Sequence, residues 1–149
     1  RVSLEIALLV MRNILNEKEL EKNLKDFLEI GRHYFKEEEG LKFLESVIRY
    51  LYRSTEIEVG KVVNTIKDIS EKGGEMGMTT AAKLIEKGKI EGKIEGLKEA
   101  IEIGLELKYG VEGLRLLERI SKVSLVEKLE AIKEAVKISK NMEEIEKLL

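Results

Sequence analysis

TTAAKLIEKGKIEGKIEGLKEAIEIGLELKYG, residues 79–110, is the stretch on which the reading of this chain turns. It predicts one unbroken helix of about eight or nine turns, capped by Thr79 or Thr80 and stopped by Gly110. A four-residue unit recurs inside it, placing Gly88, Gly92 and Gly96 in one row, with Gly104 continuing that row. Lys89 and Lys93, Ile90 and Ile94, and Glu91 and Glu95 form the rows beside it. Each interior glycine should lower helix stability by about 1 kcal/mol relative to alanine, so something must offset the row. Two readings are open. The glycines let a second backbone approach closely, as small-residue rows do in paired helices, with the isoleucines packing beside the contact. Alternatively the repeat is a semi-flexible rod that spaces two modules. A period of four drifts by about 40° per repeat, so a close contact would be a short right-handed crossing.

Before this stretch, apolar residues recur at helical spacing four times. The first helix carries Leu4, Leu8, Met11 and Leu15 as its inward row. The second starts at an Asn16/Glu19 capping box, buries Leu20, Leu24, Phe27, Leu28, Gly31 and Phe35, and ends at the acidic run of Glu37, Glu38 and Glu39 before Gly40. A third turns Leu41, Leu44, Val47, Ile48 and Leu51 inward. Thr55 and Glu58 open a fourth with Val59, Val62, Val63, Ile66 and Ile69, whose β-branching is high but whose period is 3.6. Gly73, Gly74 and Gly77 then read as a linker. Beyond Gly110 come a short helix around Leu114, Leu117 and Ile120, a Ser124/Glu127-capped helix carrying Leu125, Leu129, Ile132 and Val136, and an Asn141/Glu144-capped helix carrying Met142, Ile145, Leu148 and Leu149. The fold class expected is all-α: a helical bundle at 1–72, a glycine-rich hinge at 73–78, one long helix with the glycine repeat at 79–110, and a small helical C-terminal cap at 111–149.

Composition narrows the functional classes. Charged residues make up 38% of the 149 and aromatics 5%, with neither proline nor tryptophan, as in soluble helical proteins. The charge is mixed. Up to Lys72, 13 basic residues stand against 14 acidic ones, and 14 against 15 beyond it, which disfavours direct DNA binding through concentrated cations. The absence of cysteine removes thiolate chemistry and fits the cytoplasm. No apolar run approaches the roughly 18 residues of a membrane span, and no signal peptide is visible. The chain opens on Arg1 and not on methionine, as expected of a piece of a longer protein.

No constellation demands a chemical explanation. His33 stands among Arg32, Tyr34 and Phe35 without a second soft ligand for a metal. Gly73, Gly74 and Gly77 precede a helix start, but no strand comes before them and no Gly-Lys-Ser/Thr follows, so they are not a Walker loop. Glu37, Glu38 and Glu39 are consecutive and point in different directions on a helix. The two helices after Gly110 could be read as helix-turn-helix, yet Lys128, Lys133 and Lys137 are matched by Glu127, Glu130 and Glu134, which blunts any pull on phosphate.

MTTAAKLIEKGKIEGKIEG at 78–96, LELKYG at 105–110, LERIS at 117–121 and SLVEKLEAIKEAV from Ser124 resemble the helical C-terminal part of transposase-like proteins of the PD-(D/E)XK superfamily, the Rpn recombination-promoting nuclease group. In that family an Asp and a Glu/Gln-x-Lys on adjacent strands bind magnesium to activate water. The nearest counterpart in this chain, Glu91 and Lys93, lies on a helix, where residues two apart point about 200° apart and cannot share one metal-bound phosphate. No catalytic, cofactor-binding or metal-binding residue is therefore carried over. What the resemblance implies is a non-catalytic module that self-associates or positions an upstream nuclease domain, with Gly88, Ile90, Gly92, Ile94 and Gly96 as the candidate contact between copies in a homo-oligomer. The alternative is an adaptor whose terminal cap, 111–149, binds another protein.

Overall fold

The computed structural model describes the whole chain, 1–149, as eight α-helices and one 3-10 turn, with no strand. These residues form two compact units, Arg1–Glu86 and Lys87–Leu149.

The first unit contains α1 (Val2–Asn13), α2 (Glu17–Glu29), α3 (Glu38–Ser54), α4 (Val59–Ile69) and the opening of α5 (Glu71–Leu114). α1 packs on α2 and α3, and α4 packs on the same two helices. As the 3.6 period predicts, α2 buries Leu20, Leu24 and Leu28, α3 buries Leu44, Val47, Ile48 and Leu51, and α4 buries all five residues of its apolar row. Cross-helix ion pairs join α2 to α4 at Lys25–Asp68, 3.5 Å, and Glu21–Lys61, 3.1 Å.

α1 departs from expectation. Its inward residues are Ile6 and Val10, while Leu4, Leu8, Met11 and Leu15 are 62, 57, 56 and 97% exposed. Residues 6–11 are apolar without interruption, so periodicity cannot choose a face and the choice falls to what α2 and α3 offer. The acidic run does not end α2 either. α2 stops at Glu29, the chain turns through Tyr34–Lys36, and Glu38 and Glu39 open α3, where the positive end of the helix dipole favours them. Gly40 is needed there because a Cβ would run into the carbonyl of Tyr34.

The expected hinge at 73–78 is a helix. α5 begins at Glu71, and Gly73, Gly74 and Gly77 are buried within it. A Cβ on Gly73 would lie 2.9 Å from Leu44 Cδ1, one on Gly74 2.9 Å from Lys67 Cα, and one on Gly77 3.2 Å from Ile48 Cδ1. These glycines let α5 lie close on α3 and α4. Thr79 and Thr80 are accordingly mid-helix residues and not caps. Their hydroxyls donate back to the Glu75 carbonyl, 3.4 Å, and to Met76 Sδ, 3.5 Å. Ala81 and Leu84 join the first core, and Tyr52 donates to the Leu84 carbonyl at 3.2 Å, so 79–86 belongs to this unit.

The second unit contains the rest of α5, α6 (Leu117–Ser121), α7 (Val126–Ile138) and α8 (Met142–Glu146) around Leu97, Ile101, Leu105, Leu129, Ile132, Val136 and Ile145. Gly110 breaks α5 as its position predicted, with φ 61° and ψ −146°, a conformation that side chains rarely take. Two residues of LELKYG then complete α7. Lys108 Nζ donates to the carbonyls of Val136, 2.9 Å, and Lys137, 3.0 Å, and the Tyr109 hydroxyl lies 2.6 Å from the buried Ser139 Oγ. A cation on the last free carbonyls of a helix meets both their hydrogen-bonding need and the negative dipole end.

Of the four predicted capping boxes, Asn16 and Asn141 accept from Glu19 and Glu144 N–H at 3.3 and 3.2 Å, whereas Ser124 caps no helix and Thr55 accepts only from Ile57 N–H, 3.2 Å, short of the start of α4. Thr55 is turned back to α3, donating to the Leu51 carbonyl at 2.7 Å.

Gly74→Ala gains about 1 kcal/mol of helix propensity but forces a methyl against the α4 backbone at an overpacking cost of about 1–3 kcal/mol. A net loss is expected in urea unfolding; a gain would mean that α5 does not lie close on α4. Tyr109→Phe should lower stability by about 1 kcal/mol through the lost Ser139 bond, and an unchanged midpoint would show that bond to be idle.

Candidate self-association surface

The predicted contact residues do not share one environment. Gly92 and Gly96 are exposed, and no atom lies within 4 Å of where their Cβ atoms would be. Gly88 is half-buried and Ile90 is 45% exposed. Ile94 packs on the core of the second unit. Residues two apart on a helix diverge by about 200°, so Ile94 turned inward sends Gly92 and Gly96 outward. Within this unit, the isoleucine that shares the glycine face is instead Ile103, seven residues beyond Gly96 and 49% exposed, which the four-residue repeat did not reveal. Gly104 continues the sequence row but has drifted about 120° around the helix from Gly92. There it is closed against α7, where a Cβ would lie 2.9 Å from Val136 Cγ1.

The charged rows flank this open face. Lys89 and Lys93 stand on one side and Glu91 and Glu95 on the other. Lys93 reaches α7 and pairs with Glu130 at 2.8 Å, and Glu91 pairs with Lys87 at 3.8 Å. Glu91 and Lys93 thus have separate partners and do not converge on a common point. The hydrogen bond and charge of Lys93 hold the Glu130 carboxyl below its ordinary range, and Glu130 in turn raises the Lys93 ammonium. Lys137 acts likewise on Glu134, 2.9 Å away, so the lysines of α7 that could face phosphate are partly occupied.

Elsewhere, His33 is exposed in the turn before α3, and no group of three or more His, Cys, Asp or Glu side chains is placed to hold a metal ion. No helix is long and apolar enough to cross a membrane.

The Lys93–Glu130 pair has a pH signature. Because the folded carboxyl titrates below its unfolded value, its contribution is present above the unfolded carboxylate pKa and is lost as pH falls through the folded one. Lys93→Met should move the Glu130 midpoint upward in carboxyl-carbon NMR titration, and an unmoved midpoint would rule out the pair in solution. The match to known proteins gives no further guide: no family model, curated protein or solved structure matches this chain.

Proposed function

We infer that this chain is a non-catalytic helical module that brings copies of a protein together, and that it serves a PD-(D/E)XK nuclease or transposase-like protein by pairing or positioning the nuclease domain. The observation that carries this reading is the open face at Gly92 and Gly96. Two exposed glycines in a helix interior are a standing cost of about 2 kcal/mol relative to alanine, and nothing within the chain approaches them to offset it. A second helix laid on that face would. The flanking rows favour a parallel pair, since a two-fold axis along the helix sets the lysine flank of one copy against the glutamate flank of the other. Duplex cleavage requires both strands to be reached, which pairing of subunits provides. The link to a nuclease rests on the resemblance of 78–96, 105–110, 117–121 and 124–136 to the Rpn group.

A second reading is an adaptor that binds another protein through the terminal cap. It draws on Val111, Leu125 and Ile138, which are 81, 64 and 79% exposed and belong to no internal core. They are dispersed, and single exposed apolar residues are common on protein surfaces, which leaves this the weaker reading.

Light scattering over a range of concentrations tests the first. A dimer or larger is expected, and Gly92→Leu, which fills the open face, should lower the mass toward that of one chain. A mass that Gly92→Leu leaves unchanged would make the repeat a spacer.

A further inference from the structure

The row that α1 turns outward is not absorbed by the glycine face. Leu4, Leu8, Met11 and Leu15 follow one another at intervals of four, three and four, the spacing of the a and d positions of a coiled-coil seam. Leu4, Leu8 and Met11 lie on α1 and Leu15 in the turn that follows, and each is more than half exposed. Beside them is a shallow hollow of about 160 Å³ lined by Ala7, Met11, Val47, Phe43 and Tyr50, almost entirely apolar. The small Ala7 leaves room for a second helix to approach, and the hollow extends the apolar surface from α1 onto α3.

The charges at the edge of the seam select its occupant. Glu5 and Arg12 both fall at the e position, both are exposed, and neither takes part in any ion pair within the chain. In an antiparallel pair e positions face e positions. Laying α1 on a second α1 with Leu8 against Met11 therefore brings Leu4 against Leu15 and Glu5 against Arg12, twice by symmetry. A parallel pair, in which g positions meet e positions, would instead set Arg12 against Ala7 and leave Glu5 with no charged partner. We propose that the exposed face of α1 is an isologous, antiparallel contact with a second copy of this chain, held by the Leu4, Leu8, Met11 and Leu15 seam and fixed in direction by reciprocal Glu5–Arg12 pairs. This extends the self-association reading to a second surface, and it rests on that reading only in that copies of the chain associate.

Analytical ultracentrifugation of the full chain and its charge variants tests it. Glu5→Arg and Arg12→Glu each replace two attractive pairs with two repulsive ones and should weaken the dimer about 10-fold, while the double variant E5R/R12E restores the pairs in reversed sense and regains the affinity. Leu8→Glu should remove the α1 step of association, leaving at most the pairing through the glycine face, with circular dichroism unchanged, as expected for a side chain more than half exposed. Single reversals without effect, or a double reversal that fails to rescue, would overturn the proposal, as would a chain that is a monomer throughout. Loss of association with Gly92→Leu but with none of the α1 variants would sink the α1 contact and leave the glycine face standing. The converse pattern would retain α1 and remove the glycine face.

Discussion

Close approach of α5 to α3 and α4 at Gly73, Gly74 and Gly77 is the constraint on which the first unit depends. A helix normally keeps its neighbours at 8–10 Å because side chains intervene, and a glycine on the contacting face removes that spacer. Here the atoms that would meet a Cβ include the α4 backbone at Lys67, which cannot rotate away as a side-chain tip can. The closeness has a consequence for the sequence beyond it. With α5 helical from Glu71, Thr80, Ala81 and Leu84 are carried into the same core, and the unit extends to Glu86.

Glycine therefore has three different roles along this one helix. At 73, 74 and 77 it admits neighbouring helices, at 104 it admits Val136, and at 92 and 96 it faces open space. Local sequence does not distinguish them, because the propensity cost is the same at each and the offset lies in residues far away along the chain. This is why three glycines within five residues read as a hinge. The repeat at 88–96 was legible as an anomaly for the same reason that its cause was not. Only the geometry around each Cβ separates a packed position from a free one.

Where the helices are amphipathic, the sequence was sufficient. α2, α3 and α4 alternate charged and apolar residues sharply, so one face alone can be buried without burying charge, and the inward rows were readable in advance. α1 lacks that constraint between Ile6 and Met11, and its inward face is decided by tertiary contacts. The capping boxes divide on similar grounds. Asn16 and Asn141 have no competing partner upstream, whereas Thr55 ends a long helix whose last carbonyls also need donors, and the Leu51 carbonyl takes its hydroxyl. Lys108 and Tyr109 were readable only as residues before a stop, because the carbonyls and hydroxyl they meet lie about 30 residues further on.

Exposed apolar residues in the two units differ in what surrounds them, and that difference matters more than their number. On α5, Ile103 and Leu107 stand beside Glu99, Glu102 and Glu106, so a second copy lying antiparallel on that row would set glutamates against glutamates. Leu125 and Ile138 lie at opposite ends of α7 and form no row. On α1 the apolar residues keep a four-three-four register, the flanking charges are of opposite sign, and their spacing is self-complementary under a two-fold axis. A surface that needs only to be tolerated in water has no reason to meet all three conditions at once. A surface that meets its own copy along an antiparallel coiled-coil seam must meet each of them, since apolar register, edge charge and symmetry are independent requirements on the same few residues.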